Sequence, residues 1–190
     1  MATATVVNGL NVQGIEDLVE MVKAQPQVAK AAFYATTIWR GGFHNEAVVK
    51  PFSLGGIRND TSRKKAFTIV GDHPQELLGT DKGPSSVEVL LSALGHCLAS
   101  GWATYGASMG IPIEGLRVEV EGDIDLQGML ALPEPGAVPP GFQDIRATYY
   151  VKSSAPREQL EQLAKMAEDL SPTRHSLRAV NFSSHLAIQE

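Results

Sequence analysis

Residue 97 is the only cysteine among 190 residues, and it sits in the longest apolar run of the chain, GPSSVEVLLSALGHCLASGWATY, residues 83–105. A thiol attacks only as its thiolate, so a reactive Cys97 needs a nearby cation or hydrogen-bond donor and a path for its reactant. Its helical neighbours at three and four residues, Ala93, Leu94, Ser100 and Gly101, are small or apolar and would floor a pocket for an apolar partner. The plain alternative is a small buried hydrophobe, a common fate of a free cysteine. Arg40 stands beside Gly41-Gly42. Its guanidinium could fold over a thiolate and hold an oxygen of a bound reactant in its fork; otherwise it is a solvated turn arginine. Glu88 lies nine residues before Cys97, about half a turn away around a helix of 3.6 residues per turn. A joint role needs a mediating Arg40 or a second chain; otherwise Glu88 is a first-turn acid complementing the helix dipole.

Three further groups bear on that sulfur. His96 points about 100° away from Cys97 on a helix, which predicts a hydrogen-bonded core histidine rather than a Cys–His pair. Arg174 and His175 follow Ser171-Pro172. Either could enter a pocket from a later helix, where His175 could polarise a thiol or water; the ordinary alternative is a helix surface. The five histidines, at 44, 73, 96, 175 and 185, show no metal-ligand spacing. The glycines form no phosphate loop or dinucleotide fingerprint. Neither a metal nor a cofactor is expected.

The elements that must position these residues follow from periodicity. Val87, Leu90, Leu91, Leu94, Leu98 and Trp102 recur at helical steps, with small residues between them. The run predicts an interior helix on which a second helix or a partner subunit packs. Ser85, Ser86 and Glu88 mark its start, and Gly110 with Ile111-Pro112 marks its stop. Upstream, residues 1–10 read as a loose lead-in. Residues 11–24 form an amphipathic helix capped by Asn11 and ended by Pro26. Residues 31–39 form a strand, Gly41-Gly42 a turn, 46–51 a second strand of a hairpin, 53–65 a loop, and 66–70 a third strand. Downstream, 116–126 alternates as a half-buried strand. Residues 128–141 carry four prolines and form a loop, and 144–152 is the antiparallel return. A helix runs from Ala155-Pro156 through Asp169. Ser171-Pro172 restarts a shorter one, and 181–188 closes as a strand. Strand runs separated by buried helices specify an α+β fold.

Composition narrows the class. The length suits one domain with a real core. A formal charge of −5 gives no basic footprint for nucleic acid. One cysteine excludes an intrachain disulfide and fits a reducing cytoplasm. The first ten residues lack the pattern of a secretory signal, and no segment is a convincing membrane span.

The stretch DKGPSSVEVLLSALGHCLAS resembles the OsmC/Ohr family of osmotically inducible and organic-hydroperoxide-resistance proteins: a Gly-Pro turn, a Glu-Leu-Leu helix entry and a buried helix ending in a reactive cysteine. GIPIEGLRVEVEGDIDL, the Pro-rich loop ending PGFQDI, APREQLEQLAKMAEDLSP and YATTIWRGG support the likeness. They cover most of residues 31–190 as a single domain, with residues 1–30 a helical extension outside it. The resemblance implies antiparallel sheets wrapped around a buried central helix in an intertwined homodimer, with two active sites near the interface. It also implies thiol-dependent peroxidase chemistry on organic hydroperoxides. Cys97 matches the family's attacking cysteine, Arg40 its assisting arginine and Glu88 its glutamate.

The departure is at Ser171-Pro172, where the family carries the Cys-Pro of its second, resolving cysteine. Serine cannot form a disulfide, so an oxidised Cys97 requires an external thiol or the other subunit's Cys97. Three readings follow. The first is a cytoplasmic one-cysteine peroxidase, with peroxiredoxin-like chemistry, for a small apolar hydroperoxide, recycled by an external thiol. The second is a non-catalytic module holding an apolar ligand on the same scaffold. The third is hydrolysis or group transfer by Cys97 with His175, for which no third, orienting group is evident.

Overall fold

The computed structural model of the chain describes residues 5–132 and 134–177. Its element order is β1 (Val6–Val7), β2 (Leu10–Asn11), α1 (Val12–Ala24), β3 (Ala31–Gly41), β4 (His44–Leu54), β5 (Ile57–Asn59), β6 (Phe67–Gly71), α2 (Ser86–Ser108), β7 (Gly115–Ile124), α3 (Leu126–Met129), β8 (Phe142–Lys152), α4 (Arg157–Asp169) and α5 (Pro172–Ser176). This is the α+β class with antiparallel sheets. The strand expected over 181–188 lies outside the described residues. The described residues form two compact units, one of residues 5–6 with 10–92 and the other of 7–9 with 93–132 and 134–177.

In the first unit, Asn11 caps α1 as expected, its side chain accepting from the Gly14 N–H at 3.3 Å. A 3₁₀ turn beginning at Pro26 follows the helix. No residue of α1 is buried. β3 and β4 pair from Ala31↔Leu54 to Gly41↔His44. The turn closes at Gly42-Phe43, with Gly41 and Gly42 at φ 110° and 57°, values that glycine adopts without cost. β4 is the centre of the sheet: β6 pairs with its first half and β5 with its last three residues. The loop expected over 53–65 is corrected here. β4 runs on to Leu54, and Gly55-Gly56, both at positive φ, makes the two-residue turn that returns the chain as β5.

The second unit holds the packed core. Trp102, Ile111, Leu163 and Ala167 are buried together, with Tyr105, Leu116, Tyr149, Val151 and Leu160 against them. The alternation expected in β7 is present: Val118, Val120 and Ile124 are half-buried, while Arg117, Glu121 and Asp123 are exposed. β8 returns beside it from Gly115↔Lys152 to Ile124↔Phe142. α2 and α4 approach closely at Gly101, where a Cβ would stand 3.1 Å from the Ala167 Cα. This is the second helix that the small residues imply. The interior prediction for α2 needs a correction. Leu94, Leu98, Trp102 and Ala107 are buried, but Ala93, His96 and Ser100 are exposed, because within the chain α2 is covered along one stripe. His96 is therefore on the surface of the chain, not the core histidine expected.

The stop of α2 is a Schellman motif. Ile111 N–H donates to Gly106 O and Gly110 N–H to Ala107 O, with Gly110 at φ 67°. The lead-in that looked loose is a hairpin turned at Asn8-Gly9, φ 53° and 76°. The Asn8 amide donates to Ile111 O at 3.0 Å and accepts from Ile113 N–H at 2.8 Å. A Cβ at Gly106 would stand 2.7 Å from that amide nitrogen. Glycine there leaves the room in which Asn8 latches the end of the helix.

Candidate functional site

Cys97 is half-buried on α2 in the second unit. The chain turns from α4 into α5 so that the first residues of α5 meet the sulfur. Ser171, 2% exposed, caps α5. Its Oγ accepts from the Arg174 N–H at 3.2 Å and donates its own proton to Cys97 Sγ at 3.1 Å. Pro172 occupies the first helical position, where its missing N–H costs nothing. Burial pushes the Cys97 thiol up, but the hydrogen bonds from Ser171 and Thr173 outweigh it and hold the thiol below its ordinary range. The thiolate is favoured by donors, not by a cation.

The sulfur opens on a cleft of about 230 Å³ lined by Cys97, Ser100, Gly101, Thr104, Tyr105, Ala167, Leu170, Ser171 and Pro172. No lining residue carries a charge. A larger cavity of about 330 Å³ lies among Leu94, Leu98, Ile145, Ala147, Tyr149, Glu168, Arg174 and Leu177. Arg174, one of the two groups expected to enter a pocket, lines this cavity. Its guanidinium donates to Glu168 O at 3.3 Å and lies 3.6 Å from Asp169 Oδ1. The Tyr149 hydroxyl donates to Glu168 Oε1 at 3.1 Å; burial first, then the Glu168 charge, raise the phenol well above its ordinary range. His175 does not enter the cleft. Its Nε2 donates to Asp169 O at 2.6 Å on an exposed surface, so the pairing with Cys97 that the third reading requires is not formed.

Arg40 and Glu88 belong to the first unit and are engaged there. Arg40, near the end of β3, pairs with Glu46 across the hairpin at 2.7 and 3.1 Å. Glu88 is in the first turn of α2 and reaches back to Ser85. Its Oε2 accepts from both the N–H and the hydroxyl of Ser85, each at 2.7 Å, one half of a capping box. These bonds, the side-chain one first, hold Glu88 below its ordinary range, with a smaller contribution from His73. The first-turn reading of Glu88 is thus realised, whatever further part it takes.

Sequence reasoning missed two residues. Ser171 caps the last helix as its place before Pro172 predicts, but its hydroxyl as a donor to Cys97 is not foreseen. Asp72 was not singled out. It is buried in the first unit and accepts from Thr80 Oγ1 at 2.5 Å, His73 N–H at 2.8 Å, and the Thr80 and Lys82 N–H groups at 3.3 Å. It thereby clamps the loop that launches α2. Gly79 and Gly83 complete the clamp, since a Cβ on either would collide with backbone, at 1.7 Å from His73 O and 2.5 Å from Val70 O. An aspartate preceding the turn-rich GTDKGP was the available signal. Among the described residues no cluster of three or more potential metal ligands occurs, and no helix is long and apolar enough to cross a membrane.

The family model described as OsmC-like protein matches residues 79–185, which include Cys97, Glu88 and Ser171. No curated protein sequence matches the chain. Among solved structures, the chain is similar to an OsmC-like protein from Mycoplasma pneumoniae, with 17% identity and TM-score 0.58 over 78% of this chain and 88% of that one. It is also similar to an OsmC-like protein of unknown function from Vibrio cholerae, with 12% identity and TM-score 0.55 over 77% and 93%. A third similarity is to an organic hydroperoxide resistance protein OsmC from Legionella pneumophila, with 17% identity and TM-score 0.50 over 78% and 92%. At these identities the likeness establishes the fold.

Proposed function

The chain belongs to the OsmC family, and from that premise we propose that it reduces organic hydroperoxides through Cys97, with an external thiol completing the cycle. The observation that carries this reading is the Cys97 sulfur itself, half-buried, met by the Ser171 hydroxyl at 3.1 Å and open to an uncharged cleft. A thiolate held by donors in a small, weakly polar cleft suits attack on a neutral peroxide bearing an apolar group. The family name and the Legionella relative, described as an organic hydroperoxide resistance protein, support a peroxide-resistance or stress-response role. Arg40 and Glu88 remain our candidates for assisting groups. A joint role with Cys97 requires both to leave their present partners, Glu46 and Ser85, and for Glu88 it requires a mediating Arg40 or a second copy. We propose that second copy as well, in an intertwined homodimer of a cytoplasmic protein, with residues 1–30 an extension of the domain formed by 31–190. The support for the dimer is the bare apolar face of the first unit's sheet, where Phe33 and Trp39 are each 73% exposed; soluble monomers rarely leave such patches open.

The test is consumption of an alkyl hydroperoxide by the purified protein with excess dithiol. Wild type turns over, and Cys97→Ser loses essentially all of it. Equal consumption by the two proteins contradicts the proposal. A second reading, ligand binding without turnover, is favoured by one observation, the 330 Å³ cavity beside Leu94 and Leu98, whose volume is at the low end of ligand sites. Native mass spectrometry of protein taken from cells distinguishes it: a retained small molecule together with no peroxide turnover selects binding over catalysis.

A further inference from the structure

We infer that Ser171 is the positioning residue of the Cys97 site: a fixed hydroxyl donor that holds the sulfur as an acceptor, first as thiolate and then as sulfenate, and that leaves resolution to a thiol entering the uncharged cleft. This inference rests on the peroxidase reading. Ser171 is buried, and both ends of its hydroxyl are committed. The Arg174 N–H occupies a lone pair of Oγ, so the hydroxyl proton is directed to Sγ. Pro172 offers no N–H, so the free backbone donors at the start of α5 begin with Thr173. The hydrogen bond that meets Cys97 Sγ thus comes from a donor, the Ser171 hydroxyl. Such a site favours the anionic sulfur and, after oxidation, an anionic sulfenate oxygen.

The Cys97 thiolate attacks a peroxide oxygen, an S–O bond forms and the O–O bond breaks. The leaving alkoxide takes a proton from water and departs as the alcohol. The sulfur has been oxidised by two electrons to sulfenic acid, and the peroxide reduced by two. Nothing else in the chain is a thiol, so the sulfenic acid waits. A small thiol then attacks the sulfur from the side of Ser100, Thr104 and Tyr105, the S–O bond breaks, and water leaves. A second thiol releases Cys97 from the mixed disulfide.

Two variants of the full-length protein test the inference. The pH profile of Cys97 alkylation by iodoacetamide reads the thiolate directly, whether or not peroxide is turned over. In Ser171→Ala the midpoint moves up by about one pH unit, as loss of a hydrogen bond to a charged group requires, with the circular dichroism spectrum unchanged. In Ser171→Cys the new sulfur takes the place of an oxygen 3.1 Å from Sγ. One equivalent of alkyl hydroperoxide then yields an intrachain disulfide, whereas wild type holds a sulfenic acid that dimedone traps. An unshifted midpoint in Ser171→Ala overturns the donor role. Accumulation of sulfenic acid in Ser171→Cys, at wild-type level and without a disulfide, overturns the placement of residue 171. A wild-type protein that is alkylated normally but ignores hydroperoxide overturns the peroxidase reading and leaves the alkylation test standing.

Discussion

The two units of this chain solve the burial problem differently. The second unit closes on itself: all the buried apolar residues among those described, from Leu94 to Ala167, belong to it. The first unit has a well-hydrogen-bonded four-stranded sheet and, among its described residues, no buried apolar one. Its buried side chains are polar, Ser53, Asp72 and Ser85, and its large aromatics face outward. Its strands have the β-branched and aromatic content of a half-buried sheet, yet Phe33, Ile38, Trp39, Phe67 and Ile69 are exposed. Backbone pairing specifies a sheet; stabilising it requires an apolar surface to lie against. The contrast places Cys97 on the self-sufficient unit, and the candidate assisting groups Arg40 and Glu88 on the one whose apolar residues stay open.

The contrast can be broken first where it is strongest. Trp102 is 2% exposed at the centre of the second unit's core. Trp102→Ala removes its packing and leaves a cavity, at a cost of about 3–5 kcal/mol, read as a lowered midpoint in urea. Trp39→Ser in the first unit removes an aromatic of equal size from an exposed face, so a lone chain loses little. If a second copy covers that face, Phe33→Ser with Trp39→Ser halves the mass measured by light scattering. An unchanged mass removes the case for the dimer drawn from this face.

Within the first unit, order near α2 comes from polar bonds. Hydrogen bonds from Thr80 above all, then from the His73, Lys82 and Thr80 backbone, overcome the opposing effect of burial and hold Asp72 far below the ordinary carboxylate range. A carboxyl with a depressed folded pKa contributes stability that is fully present above its unfolded value, near 4, and is lost as pH falls toward the folded one. Asp72→Asn therefore lowers the melting temperature at neutral pH and flattens its decline in acid. An acid limb identical to wild type shows that the clamp carries no stability.

Much of this architecture was legible in the chain. α2, the β3–β4 hairpin, the β7–β8 pair and α4 follow from periodicity and capping residues, because local pattern and tertiary role agree there. The Asn8-Gly9 hairpin was missed although Asn-Gly is a strong turn signal; its strands are two residues long, too short to show alternation, and its purpose is a contact with residues 111–113. β5 was missed for the same reason of length. His96 was misplaced because apolar composition says how much of a helix can be buried, while coverage by neighbours decides how much is. In the site, Cys97 stood out as a lone residue type. Its donors could not be read, since they come from a helix start some 75 residues later that only folding brings to the sulfur.

Whether the Cys97 thiolate takes an oxygen from an organic hydroperoxide is read by mixing reduced protein with one equivalent of an alkyl hydroperoxide, without reductant, and weighing the intact chain. The expected result is a gain of one oxygen atom per chain, located at Cys97 by dimedone adduct mapping, with one equivalent of alcohol released. A chain of unchanged mass and a fully titratable thiol after excess hydroperoxide would contradict it.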